Sequence, residues 1–181
     1  MYAIASLLDP YSRQKIQELW NYLESDCGLS GIKETPLPHF SWQGANDYKF
    51  PEVSNVLQKL ASEIPPFVVR TAGLGIFTSE KPILYLSLVK TFPMIKAHQK
   101  IWDAVKSKAD QLIEYYAPEL WMPHITLAYH DLNRKNLPCA FSELAFQPFD
   151  IEISVNNLAV IYQIEQEVGV RDQYFFRQDN K

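Results

Sequence analysis

Pro38-His39-Phe40-Ser41 and Pro123-His124-Ile125-Thr126 are one phrase written twice: a proline, a histidine, an apolar residue and a hydroxyl. The two histidines are separated by just under half of the 181 residues. Both phrases read as strand, because proline is tolerated at a strand's first position and the residues after it alternate apolar with polar. Side chains at i and i+2 of a strand share a face, so His39 projects with Ser41 and His124 with Thr126. Phe40, Trp42, Ile125 and Leu127 then point the opposite way, into a core. Each phrase presents an imidazole beside a hydroxyl, and coincidence would have to explain both flanks twice.

Working outward, the chain predicts a strand at about 2–8, then a helix capped by Asp9 with Pro10 at its first position. Ile16, Leu19, Trp20 and Leu23 repeat at helical spacing up to Cys27-Gly28. The first histidine strand follows at about 38–42. A second helix from Pro51 carries Val53, Val56, Leu57, Leu60 and Ala61 on one stripe and stops at Pro65-Pro66. Strands are predicted near 67–77 and 83–90. The second half replays this order. A long helix from Pro93 carries Ile95, Trp102, Ala109, Leu112, Ile113 and Tyr116 and ends before Pro118, and the second histidine strand follows at about 123–129. A short helix near 137–145, with Asn136 as its cap, and strands near 149–155, 157–163 and 170–177 complete the chain. The expected fold class is α+β. It is one bilobal domain over 1–181 from approximately duplicated halves, 1–90 and 91–181. Each lobe has an antiparallel sheet with helices outside, and both histidine–hydroxyl pairs face the cleft between them.

Composition bounds the function. With 47% hydrophobic and 21% charged residues the chain can build a real core. A net charge of −4 argues against a general binder of long nucleic acid, whose affinity needs a broad basic surface. Neither a leader peptide nor a spanning segment is read near Met1, since Asp9-Pro10 interrupts the apolar stretch, so no membrane partner and a cytoplasmic location are expected. Cys27 and Cys139 lack CxxC spacing and are read as reduced bystanders. No Asp, Glu or Cys stands at ligand spacing around either histidine, so neither metal nor cofactor is proposed.

Two imidazoles across a cleft suit proton transfer in both directions. A neutral ring takes a proton from an attacking hydroxyl while a charged ring gives one to the leaving oxygen. Hydroxyls at Ser41 and Thr126 can donate to the two non-bridging oxygens of a phosphodiester as charge builds on them.

The paired His-x-[Ser/Thr]-apolar motif in a bilobal chain of this length resembles the 2H phosphoesterase superfamily, which includes the 2′-5′ RNA ligases and the cyclic nucleotide phosphodiesterases. Gly73-Leu74-Gly75-Ile76-Phe77 before Pro82-Ile83-Leu84-Tyr85-Leu86 is similar to that family's glycine-aromatic turn and central strand. The resemblance implies His39 and His124 as catalytic groups acting without metal on 2′,3′-cyclic or 2′-5′ phosphodiester bonds, with Ser41 and Thr126 holding the phosphate. It implies a hydrolase with a small nucleotide or RNA end as substrate, acting in RNA processing, as a monomer and with a reversible ligase activity in reach. The alternative is a nucleotide- or RNA-binding sensor on the same fold without turnover.

Other residues read more plainly. His98 lies beside Met94, Ile101 and Val105 at helical spacing and is taken as a stripe-edge residue without chemistry. His130 is placed in a solvent-exposed loop. Gly73-Leu74-Gly75 lacks the third glycine and following helix of a dinucleotide fingerprint. Lys90, Lys96, Lys100, Lys106 and Lys108 make the long helix basic, a solvated face able to steer an anion. Tyr85 and Phe77 are candidates to stack a base near the cleft, against the plainer reading as core aromatics.

Overall fold

Asp9 begins the first helix as its place before Pro10 dictates. In the computed structural model, which describes residues 1–165 and 167–177, its carboxylate accepts from the amides of Tyr11 and Ser12, both at 3.1 Å. Helix α1 (Pro10–Cys27) buries Ile16, Trp20 and Leu23. It ends at Gly28, whose φ of 68° is a left-handed conformation that glycine adopts at no steric cost. Helix α2 (Glu52–Glu63) buries Val53, Leu57, Leu60 and Ala61, and helix α4 (Leu137–Ala145) buries Ala140 and Leu144. Asn136 does occupy the position before α4, but its side chain serves the preceding loop, accepting from Asn133 and donating to the Asp131 carbonyl.

Between the helices run β1 (Tyr2–Leu7), β2 (His39–Tyr48), β3 (Phe67–Phe77), β4 (Ile83–Leu88), β5 (Ala109–Leu112), β6 (His124–Ala128), β7 (Glu152–Val155), β8 (Asn157–Ile164) and β9 (Glu167–Phe175). They form two antiparallel sheets, in the orders β5-β2-β1-β8-β9 and β6-β4-β3-β7. The α+β architecture with a histidine strand in each sheet is as expected. The sheets do not divide at residue 90, however, because each takes strands from both halves of the chain.

One face of each sheet feeds a shared core. Ile4, Phe40, Trp42 and Leu158 come from the first sheet, Leu84, Leu86, Ile125 and Leu127 from the second, and the helices cover them with Leu23, Leu57, Ile101 and Leu144. At roughly 1.5–3 kcal/mol for each fully buried large apolar side chain, this core is what fixes the alternation of β2 and β6. On the opposite face of the first sheet, Ala5, Leu7, Ala159 and Ile161 form a smaller apolar cluster with Leu37 and Val168.

Two expectations fail. The long helix stops early: α3 spans Phe92–Val105, and residues 109–112 form β5, pairing Leu112 with Ala45 and Ala109 with Tyr48. The stripe was also out of phase, since Met94, Ala97, His98, Ile101 and Val105 are buried while Ile95 is exposed. Ala-Asp-Gln-Leu has no intrinsic strand preference, and its pairing with the outer edge of β2 overrides that. The second failure concerns the cysteines. The last turn of α1 packs against α4, which brings the Cα atoms of Cys27 and Cys139 to 5.7 Å, and the two sulfurs are bonded. The reading of both cysteines as reduced bystanders is thereby corrected. Among the described residues no helix is long and apolar enough to cross a membrane.

The bridge closes a loop with a sequence separation of 112, so it strongly restricts the unfolded chain. Replacing both cysteines with serine is expected to lower stability by about 2–4 kcal/mol in urea denaturation, and a thiol reductant should reproduce that loss in the wild type only.

Candidate active site

The core registration of β2 and β6 turns His39, Ser41, His124 and Thr126 away from the buried face. All four are half-buried, whereas Phe40, Trp42, Ile125 and Leu127 are at most 1% exposed. The two strands lie against each other although they belong to different sheets. His124 is near enough that its charge acts on His39.

The two imidazoles are held alike. His39 Nδ1 lies 2.5 Å from the carbonyl oxygen of Leu37, and His124 Nδ1 lies 2.7 Å from that of Met122. A carbonyl can only accept, so each Nδ1 carries the proton and donates to the residue two positions back. That fixes the tautomer and leaves both Nε2 atoms without a proton, able to accept one. Burial holds both rings below the ordinary histidine value of 6.5, against the opposing pull of the Leu37 and Met122 carbonyls; for His39 the neighbouring His124 adds to the lowering.

The surroundings of His124 are aromatic. Tyr85 stacks on Phe77 at 4.2 Å, and their ring centroids lie 5.2 and 4.8 Å from that of His124. Gly75 makes this possible, since a Cβ there would run into the Tyr85 ring. Tyr85, a candidate to stack a base, is only 5% exposed and packs against Phe77 and His124; Phe77 is half-buried.

Three side chains to which the sequence assigned no role at the site hold the hydroxyl-bearing strands. The Trp121 indole donates to the Ser41 carbonyl at 3.0 Å, and the Trp20 indole donates to the Thr126 carbonyl at 3.0 Å. His98 is not at a stripe edge. It is 2% exposed, stacks on Trp121 at 3.8 Å and donates through Nε2 to the Trp42 carbonyl at 3.0 Å. Burial pushes its pKa down to about 4, so it stays a neutral structural donor. Beside them Tyr116, expected in a helix stripe, lies in a 3-10 turn with its ring against Gly44. His130 is exposed as expected, 3.7 Å from Glu34. Among the described residues no three His, Cys, Asp or Glu side chains gather to hold a metal ion.

Residues 12–167 match the model of the 2′-5′ RNA ligase superfamily. The chain belongs to that superfamily, the 2H phosphoesterases. This phosphoesterase-family chain is similar in fold to the protein TT0787 of Thermus thermophilus, at 17% identity and a TM-score of 0.68 with 99% of each chain covered. It is similar also to Escherichia coli LigT, solved with 3′-AMP, at 13% identity and a TM-score of 0.57 with 98% of each covered. A protein of Geobacillus kaustophilus, named only provisionally as a phosphoesterase, is 21% identical over 121 residues, or 67% of this chain. That stretch spans 65% of the relative's own length, just under two thirds.

The indole donors give a test of how the family motifs are held. Trp121→Phe and Trp20→Phe each remove one N–H while keeping an aromatic ring, and leave the carbonyl of Ser41 or Thr126 short of a partner. Each is expected to cost about 1–3 kcal/mol by chemical denaturation, the penalty for an orphaned polar group. Unchanged stability in both variants would show that water replaces the indoles.

Proposed function

We propose that the protein is a metal-independent phosphodiesterase that opens 2′,3′-cyclic or 2′-5′ phosphodiester bonds of nucleotides or RNA ends by two-histidine acid–base catalysis, acting as a monomer. The observation that carries this reading is the matched pair of imidazoles, each pinned at Nδ1, on two strands that lie against each other. In hydrolysis of a 2′,3′-cyclic phosphate, water attacks phosphorus and its proton passes to the neutral Nε2 of one histidine. The bond from phosphorus to one ribose oxygen breaks, and the leaving oxygen takes the proton from the charged Nε2 of the other. Ser41 and Thr126 donate to the non-bridging oxygens, whose charge grows toward the transition state. With an RNA hydroxyl attacking in place of water, the same forward steps join that RNA to phosphorus as the cyclic P–O bond breaks, and their reverse cleaves a 2′-5′ bond. The 3′-AMP bound by LigT is of the kind such a hydrolysis releases, which supports a nucleotide substrate.

Because both rings are depressed, both are neutral at pH 7 in the free protein. An anionic phosphate set between them raises both pKa values, so substrate itself supplies the charge that keeps one ring protonated.

The decisive experiment is turnover of 2′,3′-cyclic AMP and of a 2′-5′ linked dinucleotide, with the position of the product phosphate read out. His39→Ala and His124→Ala should each lower kcat by about 10²–10⁴-fold, and the double variant should be little worse than the poorer single one. Activity should survive exhaustive chelation. Loss on chelation, or full activity in either histidine variant, would end this reading.

The pH dependence has a definite sign. The singly protonated pair is most abundant between two free-protein pKa values that both lie below 6.5, so kcat/KM should peak below pH 6.5 and fall as pH rises through the higher of them. The kcat profile, which reports the complex, should peak at higher pH.

A further inference from the structure

His39 and His124 are each held by the carbonyl two residues back, but the two carbonyls are mounted differently. Met122 carries a side chain that is 50% exposed, whereas Leu37 is half-buried and packs against the apolar cluster of Ala5, Leu7, Ala159 and Ile161. That cluster lies on the face of the first sheet that carries His39 and Ser41, since Leu7 stands opposite His39 and Ala5 opposite Ser41 in the ladder. The seat is firm. Ala5 also pairs with Ala159, and past that pair the Asn157 carboxamide takes over, accepting from the Leu7 amide at 3.0 Å and donating to the Leu7 carbonyl at 2.9 Å.

The backbone that leads into β2 is equally constrained. Leu37 sits between Pro36 and Pro38, and a residue before a proline is pushed toward extended backbone. Its amide donates to the Thr35 carbonyl at 2.8 Å, and the Pro38 carbonyl accepts from the Leu8 amide at 3.1 Å, which ties residues 35–38 to the end of β1. With the backbone extended and stitched on both sides, the Leu37 side chain fixes how this short strap lies on the sheet. It thereby sets where the Leu37 carbonyl points.

We propose that Leu37 is a positioning residue: its side chain, seated among Ala5, Leu7, Ala159 and Ile161, aims its carbonyl at His39 Nδ1 and so keeps Nε2 as the atom that exchanges protons with substrate. The seat acts through the 2.5 Å contact between Nδ1 and the Leu37 carbonyl oxygen. A neutral histidine in water favours the proton on Nε2, so a ring kept as the Nδ1–H form must be held there by an acceptor. A neutral ring with its proton on Nε2 cannot accept another through that atom. For its catalytic consequence this inference rests on the phosphodiesterase reading above, to which it adds the residue that sets the tautomer of one ring.

In ¹⁵N-labelled protein above pH 7, where both rings are neutral, long-range ¹H–¹⁵N correlation spectra separate the two tautomers ring by ring. The wild type should show His39 and His124 both as Nδ1–H. Leu37→Ala should move a measurable fraction of His39 to the Nε2–H form and leave His124 unchanged, and Leu37→Met, which refills the seat, should restore the wild-type spectrum. On 2′,3′-cyclic AMP, Leu37→Ala should lower kcat about tenfold with KM little changed, the scale of one hydrogen bond, and Leu37→Met should recover most of the rate. A purely structural leucine would lower stability without moving the tautomer. Should Leu37→Ala not fold, Leu37→Val is a smaller truncation and is read in the same way. A His39 ring that stays wholly Nδ1–H in the truncated protein, or an unchanged kcat, overturns the proposal, as does a wild-type His39 with its proton on Nε2. The tautomer is read without turnover, which separates the two failures. A wild type that turns over no cyclic or 2′-5′ substrate ends the functional reading, and the spectra still decide whether Leu37 positions His39.

Discussion

The arrangement depends on satisfying backbone carbonyls along two open strand edges. β6 is the last strand of its sheet, and β2 has a strand beside it only from Ala45 onward, so the segments carrying the histidines lack full ladders on one side. Left alone, such carbonyls would call for water or for another strand. Trp20, Trp121 and His98 instead reach in from outside the two sheets and donate to Thr126, Ser41 and Trp42. Each donor is aromatic and serves both requirements, closing an edge with its N–H and filling space with its ring. The histidine strands can therefore stand at the border between two sheets and lie against each other.

Symmetry and its breakdown both matter. The Nδ1 contacts to residues two positions back are nearly identical in the two copies, which is what equal exchange of acid and base roles requires. The surroundings are not identical. His124 is backed by Tyr85 and Phe77, while His39 stands across the ladder from Leu7, part of a small aliphatic cluster. A substrate with different groups on its two ester oxygens would meet a different wall on each side, so the two rings are not interchangeable for it.

Much of this was legible in the sequence because strand alternation and proline punctuation are local properties. Pro38 and Pro123 mark the starts of β2 and β6, and the period-2 pattern assigns both faces of each without reference to the rest of the chain. Asp9-Pro10 and Gly28 bound α1 for the same reason. The failures came where a partner distant in sequence decides. Residues 109–112 are strand only because β2 offers them an edge, and their own composition points to helix. Cys27 and Cys139 are neighbours only because α1 and α4 pack. His98 and the tryptophans are invisible as donors until the carbonyls they serve are placed, since apolar spacing alone assigns an aromatic ring to a core. Tyr116 fell with the helix that was expected to contain it.

The disulfide also changes the topology of the molecule. With Cys27 joined to Cys139, the chain between them is a covalent ring, and His39, Ser41, His124 and Thr126 all lie on it. A single peptide-bond cut anywhere on that ring, from Gly28 to Pro138, opens the circle but frees no piece. Both halves of the cleft stay tethered, and a nicked molecule keeps its two motifs at the effective concentration of a single chain.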